Sequence, residues 1–119
     1  MKKILIVDDE PGILMSLEFL MKKEGYEIFI ARDGKEAIEI VKKESPAALI
    51  LDIMMPEVDG FEVCEFVKGN ENTAHIKVIF LTAKSKDEDI QKGLAAGADL
   101  YLTKPFSTKE LVKKVNGIL

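Results

Sequence analysis

Short apolar runs alternate with longer amphipathic segments along the chain. The apolar runs are rich in β-branched residues and predict strands, whereas the segments between them repeat apolar residues at helical spacing. Strands are predicted at residues 4–7, 26–30, 47–51, 78–81 and 100–102. Helices are predicted at residues 11–24, 34–43, 61–67, 87–96 and 108–118. The pattern is therefore five strand-then-helix units.

The first, third and fourth of these strands are apolar throughout instead of alternating with polar residues. Strands of that kind are buried on both faces, as in a parallel sheet covered by helices on both sides. We therefore expect an α/β fold, a single doubly wound (βα)5 domain. Ligands of such open sheets bind at the carboxyl ends of the strands.

Local signals refine the helix ends. Pro11 suits a first helical turn, and Gly97 stands where a left-handed residue would end the fourth helix. Ser107 and Glu110 have the spacing of a capping box at the start of the last helix. In the fourth helix, the spacing predicts that Ile90 and Leu94 point into the core.

Composition narrows the function classes. The chain has 119 residues, of which 47% are hydrophobic, enough for one core, so we expect one domain over residues 1–119. A net charge of −4 argues against nucleic-acid binding, and one Cys with one His cannot build a closed zinc site or a disulfide. Its apolar runs are too short to span a membrane, so we expect a cytoplasmic protein without membrane contact.

Polar residues follow four of the predicted strands and should meet at one edge of the sheet. They are Asp8, Asp9 and Glu10 after the first strand, Asp52 after the third, Thr82 after the fourth, and Lys104 after the fifth. Each has a plainer interpretation. The first aspartates can cap a helix, Asp52 can be a solvated strand end, and Lys104 can be a loop lysine.

Taken together, these residues favour phosphoryl-transfer chemistry. Clustered carboxylates repel one another unless a cation lies among them, and a set of oxygen ligands suits Mg²⁺. Aspartate can accept a phosphoryl group covalently, and an ammonium and a hydroxyl can bind its oxygens.

The chain resembles the receiver domains of two-component response regulators, the family of the chemotaxis protein CheY. The similarity rests on ILIVDDEP at 4–11, LILDIMMPEVDGFEV at 49–63, VIFLTAK at 78–84 and GADLYLTKPF at 97–106. With the last helix, STKELVKKV at 107–115, these stretches cover nearly the whole chain. The resemblance implies a flavodoxin-like, CheY-like sheet of strand order 2-1-3-4-5.

The resemblance also implies the roles of individual residues. Asp52 would be the phosphoacceptor. Asp9 would bind Mg²⁺ directly, Asp8 through water, and Met54 through its backbone carbonyl, with Asp52 as a further ligand. Thr82 and Lys104 would bind the phosphoryl oxygens.

Three further residues gain a role from the family. Tyr101 would be the switch residue and turn inward when Thr82 moves toward the phosphoryl group. From the sequence alone, Tyr101 is more simply an amphipathic ring at a strand edge. The Lys104–Pro105 bond would be cis, and Gly60 would serve the structure of the loop that begins near Pro56.

In function, the family implies a phosphoacceptor rather than an enzyme, with self-catalysed phosphotransfer and autodephosphorylation. The phosphoryl group would come from a sensor histidine kinase or a phosphotransfer protein. The surface of the fourth helix, fifth strand and fifth helix would then control a downstream protein or a fused output domain. The chain would be a monomer able to dimerise through that face, although Leu100 and Lys113 depart from the charged pattern of dimerising winged-helix regulators.

Other functions fit the sequence less well. A haloacid-dehalogenase-like phosphatase needs Asp-x-Asp after the first strand, and nucleotide-binding domains need a glycine-rich phosphate loop. An EF-hand at Asp87 and Asp89 would have Lys92 in place of its glycine. Two questions stay open: whether the chain is a receiver-like binding module independent of phosphorylation, and whether it stands alone or belongs to a longer regulator.

Overall fold

A parallel five-stranded sheet forms the centre of the molecule in the computed structural model, which describes residues 1–119. The strands are β1 (Lys3–Val7), β2 (Glu27–Ala31), β3 (Ala48–Leu51), β4 (Lys77–Thr82) and β5 (Leu100–Thr103). The helices are α1 (Pro11–Lys23), α2 (Gly34–Glu44), α3 (Gly60–Gly69), α4 (Asp87–Ala95) and α5 (Thr108–Ile118). The order β2-β1-β3-β4-β5 confirms the predicted fold.

The register of the sheet brings the strand ends to one level. Val7 pairs with both Ala31 and Leu51, and Leu51 pairs with Phe80. Thr82, at the end of β4, pairs with Thr103 at the end of β5. The segments that follow the strands therefore begin side by side along one edge.

Alternate residues of the central strands face two separate cores. Leu49, Leu51 and Phe80 belong to the core under α2 and α3, whereas Ile50 and Ile79 belong to the core under α1 and α5. All four residues of β3 are buried. Burial on both faces explains why these strands are apolar throughout.

The helix ends largely follow the predicted signals. Pro11 occupies the first turn of α1, and Gly97 follows α4 with a φ of 105°. The Ser107 side chain accepts a hydrogen bond of 3.3 Å from the Glu110 N–H, as a capping residue does. The predictions for Pro11, Gly97 and the Ser107 cap are confirmed. The capping box is incomplete, because the Glu110 carboxylate pairs with Lys114 at 3.2 Å and makes no return bond to Ser107. None of the five helices has the length and apolar composition of a transmembrane span.

One prediction about α4 is wrong. Leu94 was expected to face the core, but it is 45% exposed, and Ile90 is half-buried. The only buried residue of α4 is Gly93. The apolar spacing of this nine-residue helix gives the relative positions of Ile90 and Leu94, but it does not determine which residue lies closest to the core, and that residue is Gly93.

Candidate functional site

Two buried carboxylates lie side by side at the carboxyl edge of the sheet. Asp8 and Asp52 follow β1 and β3, and the Asp52 N–H donates a hydrogen bond of 3.0 Å to the Val7 carbonyl. Only 2% of Asp8 and 5% of Asp52 is exposed. Asp52 is therefore not the solvated strand end that the plainer interpretation proposed. A buried carboxylate needs a cation or hydrogen-bond donors.

Lys104 supplies that cation. Its Nζ lies 2.9 Å from Oδ2 of Asp8 and 3.6 Å from Oδ2 of Asp52. Burial alone would lower the pKa of Lys104. The hydrogen bond to Asp8 and the charges of Asp52, Asp8 and Glu10 outweigh burial, so the pKa is raised above its ordinary value. Lys104 therefore stays protonated and is not a free loop lysine.

Asp8 also orders the segment between β1 and α1. Its Oδ1 accepts a hydrogen bond of 3.0 Å from the Glu10 N–H. Glu10 is the N-cap residue of α1, and no side chain caps this helix. The capping role that the sequence allowed for Asp8 and Asp9 is therefore not what the structure shows.

The acidic residues after β1 are suited to a hard cation. Single carboxylate oxygens of Asp8, Asp9 and Glu10 lie within 4.8 Å of one another, and Asp9 and Glu10 are exposed. Mg²⁺ prefers carboxylate oxygens and keeps several waters, which an exposed site allows. The donor set thus fits Mg²⁺.

A cleft of about 230 Å³ opens above these side chains. It is lined by Asp9, Glu10, Asp52, Met54, Ala83 and Lys104. The cleft thus contains the proposed acceptor carboxylate, the ammonium and two of the acids. Asp52 also receives a weak hydrogen bond of 3.4 Å from the Met54 N–H. The Asp52 carboxylate thus borders the open space of the cleft.

Thr82 does not line the cleft, although its neighbour Ala83 does. Thr82 is fully buried, and its hydroxyl oxygen accepts a long hydrogen bond of 3.4 Å from the Lys84 N–H. The Lys104 N–H donates a hydrogen bond of 2.8 Å to the Thr82 carbonyl. This backbone bond joins the ends of β4 and β5 and holds Thr82 and Lys104 on neighbouring segments.

Tyr101 packs inward against the core. Its ring centroid lies 5.7 Å from that of Phe80, and its hydroxyl donates a hydrogen bond of 2.7 Å to the Lys84 carbonyl. Burial, with smaller contributions from the charges of Asp89 and Asp52, raises the pKa of Tyr101 to about 12. Tyr101 is therefore held by its ring and by its hydroxyl, and it is more than the amphipathic ring at a strand edge that the sequence alone indicated.

Two backbone features support the site. The Lys104–Pro105 peptide bond is cis. A Cβ at Gly60 would lie 2.6 Å from the Ile53 Cα and would collide with the Asp52 carbonyl. Any side chain at this position would therefore displace the segment that carries Asp52.

The sequence did not reveal all the residues around the site. A Cβ at Gly93 would lie within 3.2 Å of the Tyr101 and Phe80 rings, and Lys92 lies over the Phe61 ring, 4.4 Å from its centroid. The one signal in the sequence that could have indicated this packing is Gly93 itself, because glycine is unfavourable within a helix unless another group comes close to its backbone.

Comparison with known proteins agrees with this geometry. The model of the response regulator receiver domain family matches residues 4–116. Among solved structures, the chemotaxis protein CheY4 of Vibrio cholerae is 33% identical, with a TM-score of 0.93, and the match covers 100% of this chain and 99% of that one.

Two other structures are similar to the same extent. The signal receiver domain of a signal transduction histidine kinase from Syntrophus aciditrophicus is 34% identical, with a TM-score of 0.93, over 100% of this chain and 90% of that one. A CheY-like response regulator receiver domain protein from Methanospirillum hungatei JF-1 is 32% identical, with a TM-score of 0.93, over 99% and 93% of the two chains.

Proposed function

Because the chain belongs to the response regulator receiver domain family, we propose that residues 1–119 act as one phosphoacceptor domain and that Asp52 takes the phosphoryl group. One observation carries the proposal: a buried Asp52 carboxylate borders an open cleft beside a protonated Lys104. A strand-end aspartate with only a structural role would need neither the cleft nor the neighbouring acids.

The donor is the phosphohistidine of a sensor histidine kinase or of a phosphotransfer protein. A carboxylate oxygen of Asp52 attacks phosphorus, and an acyl–phosphate O–P bond forms. The P–N bond to the histidine ring breaks, and its electron pair returns to the ring nitrogen. Such transfers depend mainly on positioning and on neutralising charge on the phosphoryl oxygens.

The chain's own residues provide part of that neutralisation. Lys104 already lies 3.6 Å from Asp52, so its ammonium can bind an oxygen of the new phosphoryl group. The carboxylates of Asp8 and Asp9, with the Met54 carbonyl, would hold Mg²⁺. When bound, this ion would neutralise further charge on the phosphoryl oxygens.

Phosphorylation then selects between two arrangements of the chain. A phosphoryl oxygen attracts the Thr82 hydroxyl and Lys104, which favours the arrangement with Tyr101 inward. The change is read on the face of α4, β5 and α5 by a downstream protein, a fused output domain or a second copy of the chain. Half-buried Leu100 lies on that face.

Intact mass spectrometry tests the proposal. The protein is incubated with a small-molecule phosphodonor, with and without Mg²⁺, beside Asp52→Asn and the control Glu57→Gln, which alters an exposed acid outside the cleft. We expect one added phosphoryl group, dependent on Mg²⁺, in the native protein and the control only. If the folded native protein gained no mass, the proposal would be wrong, and the chain would be a binding module that works without phosphorylation.

A further inference from the structure

Helix α4 is attached to the core through an unusually small contact. Gly93 is its only buried residue, whereas five residues of α3 are buried. Leu94 is exposed, and the first turn of α4 carries three acids. Gly93 is therefore the residue through which α4 comes closest to the core.

The Tyr101 ring lies there. A Cβ built on Gly93 would be 2.9 Å from both Cδ2 and Cε2 of Tyr101 and 3.2 Å from Cδ2 of Phe80. Real Cβ atoms are not found as close as the first of these distances. Glycine also weakens a helix interior relative to alanine, so its presence here has a cost that the close packing offsets.

We propose that Gly93 is a positioning residue that makes room for the inward Tyr101 ring and thereby sets the balance between the two arrangements of the chain. The inference deepens the proposed function, on which its regulatory meaning rests. The claim that a larger residue at position 93 would collide with the Tyr101 ring rests only on the surroundings of Gly93.

The contacts connect Gly93 to the phosphorylation site step by step. The inward ring places the Tyr101 hydroxyl 2.7 Å from the Lys84 carbonyl, and the N–H of the same residue lies 3.4 Å from the Thr82 hydroxyl oxygen. A methyl group at position 93 would push the ring outward. Lys84 would then lose its bond to Tyr101 and with it the restraint on the segment after β4.

Fluorescence quenching measures the ring position directly. The chain has two tyrosines and no tryptophan, so a Tyr26→Phe background leaves Tyr101 as the only fluorophore of this kind. In that background, Gly93→Ala is compared with Gly117→Ala, where an added Cβ meets nothing within 4 Å. Both changes remove a helical glycine, but only one adds a methyl group under a ring.

We expect acrylamide to quench Tyr101 more strongly in Gly93→Ala than in Gly117→Ala, without phosphodonor present. Overpacking of this size shifts a two-state equilibrium by about tenfold or more. With phosphodonor and Mg²⁺, phosphorylation of Gly93→Ala should be slower by a similar factor. Equal quenching in the two folded variants would overturn the proposal.

A double variant tests the same collision if Gly93→Ala alone does not fold. Gly93→Ala is then made together with Tyr101→Ala, which removes the ring that it meets. The double variant is compared with Tyr101→Ala alone. If it stays as folded as Tyr101→Ala, the collision with the ring is supported, and if Gly93→Ala unfolds that variant too, the collision is contradicted. Because quenching needs no phosphate, a chain that never gains a phosphoryl group would refute the proposed function without affecting this result.

Discussion

Lys104 is the residue on which the charge balance of the site depends. Its ammonium is the only side-chain cation within salt-bridge distance of Asp8 and Asp52. Removing one partner of a buried ion pair leaves the other charge uncompensated, which costs more than the pair itself contributes. The lysine is thus a structural counter-ion before it has any part in phosphoryl transfer.

Replacement of Lys104 by methionine should therefore destabilise the metal-free protein, by roughly 3 kcal/mol. The aliphatic part of the side chain is kept, so the loss reports on the charge. Added Mg²⁺ should restore part of the stability, because it supplies the missing positive charge. Urea unfolding with and without Mg²⁺ measures both effects.

Lys109→Met, at an exposed position of α5, is the control and should change neither the stability nor its response to Mg²⁺. If Lys104→Met were as stable as the native protein without the ion, the two carboxylates would not need Lys104 as their counter-ion.

Tyr101 gives a prediction about pH. Its pKa is raised to about 12, so the folded chain holds this proton more tightly than the unfolded chain, whose ordinary value is 10.0. The resulting stability is fully present below the unfolded value and is lost as pH rises through the folded one. In Tyr26→Phe, phenolate absorbance should appear well above pH 10.0 while the protein stays folded.

Asp89→Asn should lower the pKa of Tyr101 slightly, because the charge of Asp89 contributes to the shift after burial does. Glu71→Gln, an exposed change in the turn after α3, is the matched control and should leave the titration unchanged. A midpoint at the ordinary tyrosine value in folded protein would mean that the ring is exposed to water.

At the scale of elements, α4 differs from its neighbours. Asp33 and Asp59 cap α2 and α3 by accepting hydrogen bonds of 2.8 and 2.9 Å from Glu36 and Glu62. The N-cap residue of α4, Lys86, makes no side-chain cap. Without an N-terminal side-chain cap and with Gly93 as its single buried residue, α4 is held less firmly than α2 and α3.

Native-state hydrogen exchange should therefore show faster exchange in α4 than in α3. Helices with few buried apolar contacts open locally at lower free energy than those packed into a core. The comparison is made within one sample, amide by amide, so α3 serves as the internal control. Equal protection of the two helices would contradict a weakly held α4.

Across the whole molecule, the sequence predicted most where one physical constraint dominated. Strand β3 has no polar residue until Asp52, and only burial on both faces explains such a run. The parallel sheet then placed Asp8, Asp52 and Lys104 at one edge, and the ion pairs follow from that placement. For the sheet and for the placement of these three residues, the apolar pattern of the strands was sufficient.

The sequence failed where close contacts between distant segments decide the outcome. Gly93 and Leu94 are neighbours in α4, yet Gly93 is buried next to the Tyr101 and Phe80 rings whereas Leu94 is exposed. The ion pair of 2.9 Å between Lys68 and Asp99 joins α3 to the turn before β5 and was also not predicted. The spacing of residues along a chain does not show which side chains from distant segments will contact one another.

The parallel sheet also affects how this chain folds. Neighbouring strands are joined only through crossovers that carry a helix, so no two strands can pair by closing a short hairpin. Each pairing must first bring together residues that are far apart in sequence, at an entropic cost. Until β1 and β3 meet, the apolar faces of both remain open to water and to other chains. The strand order that aligns the acidic edge thus makes early folding the stage at which this protein is most exposed to aggregation.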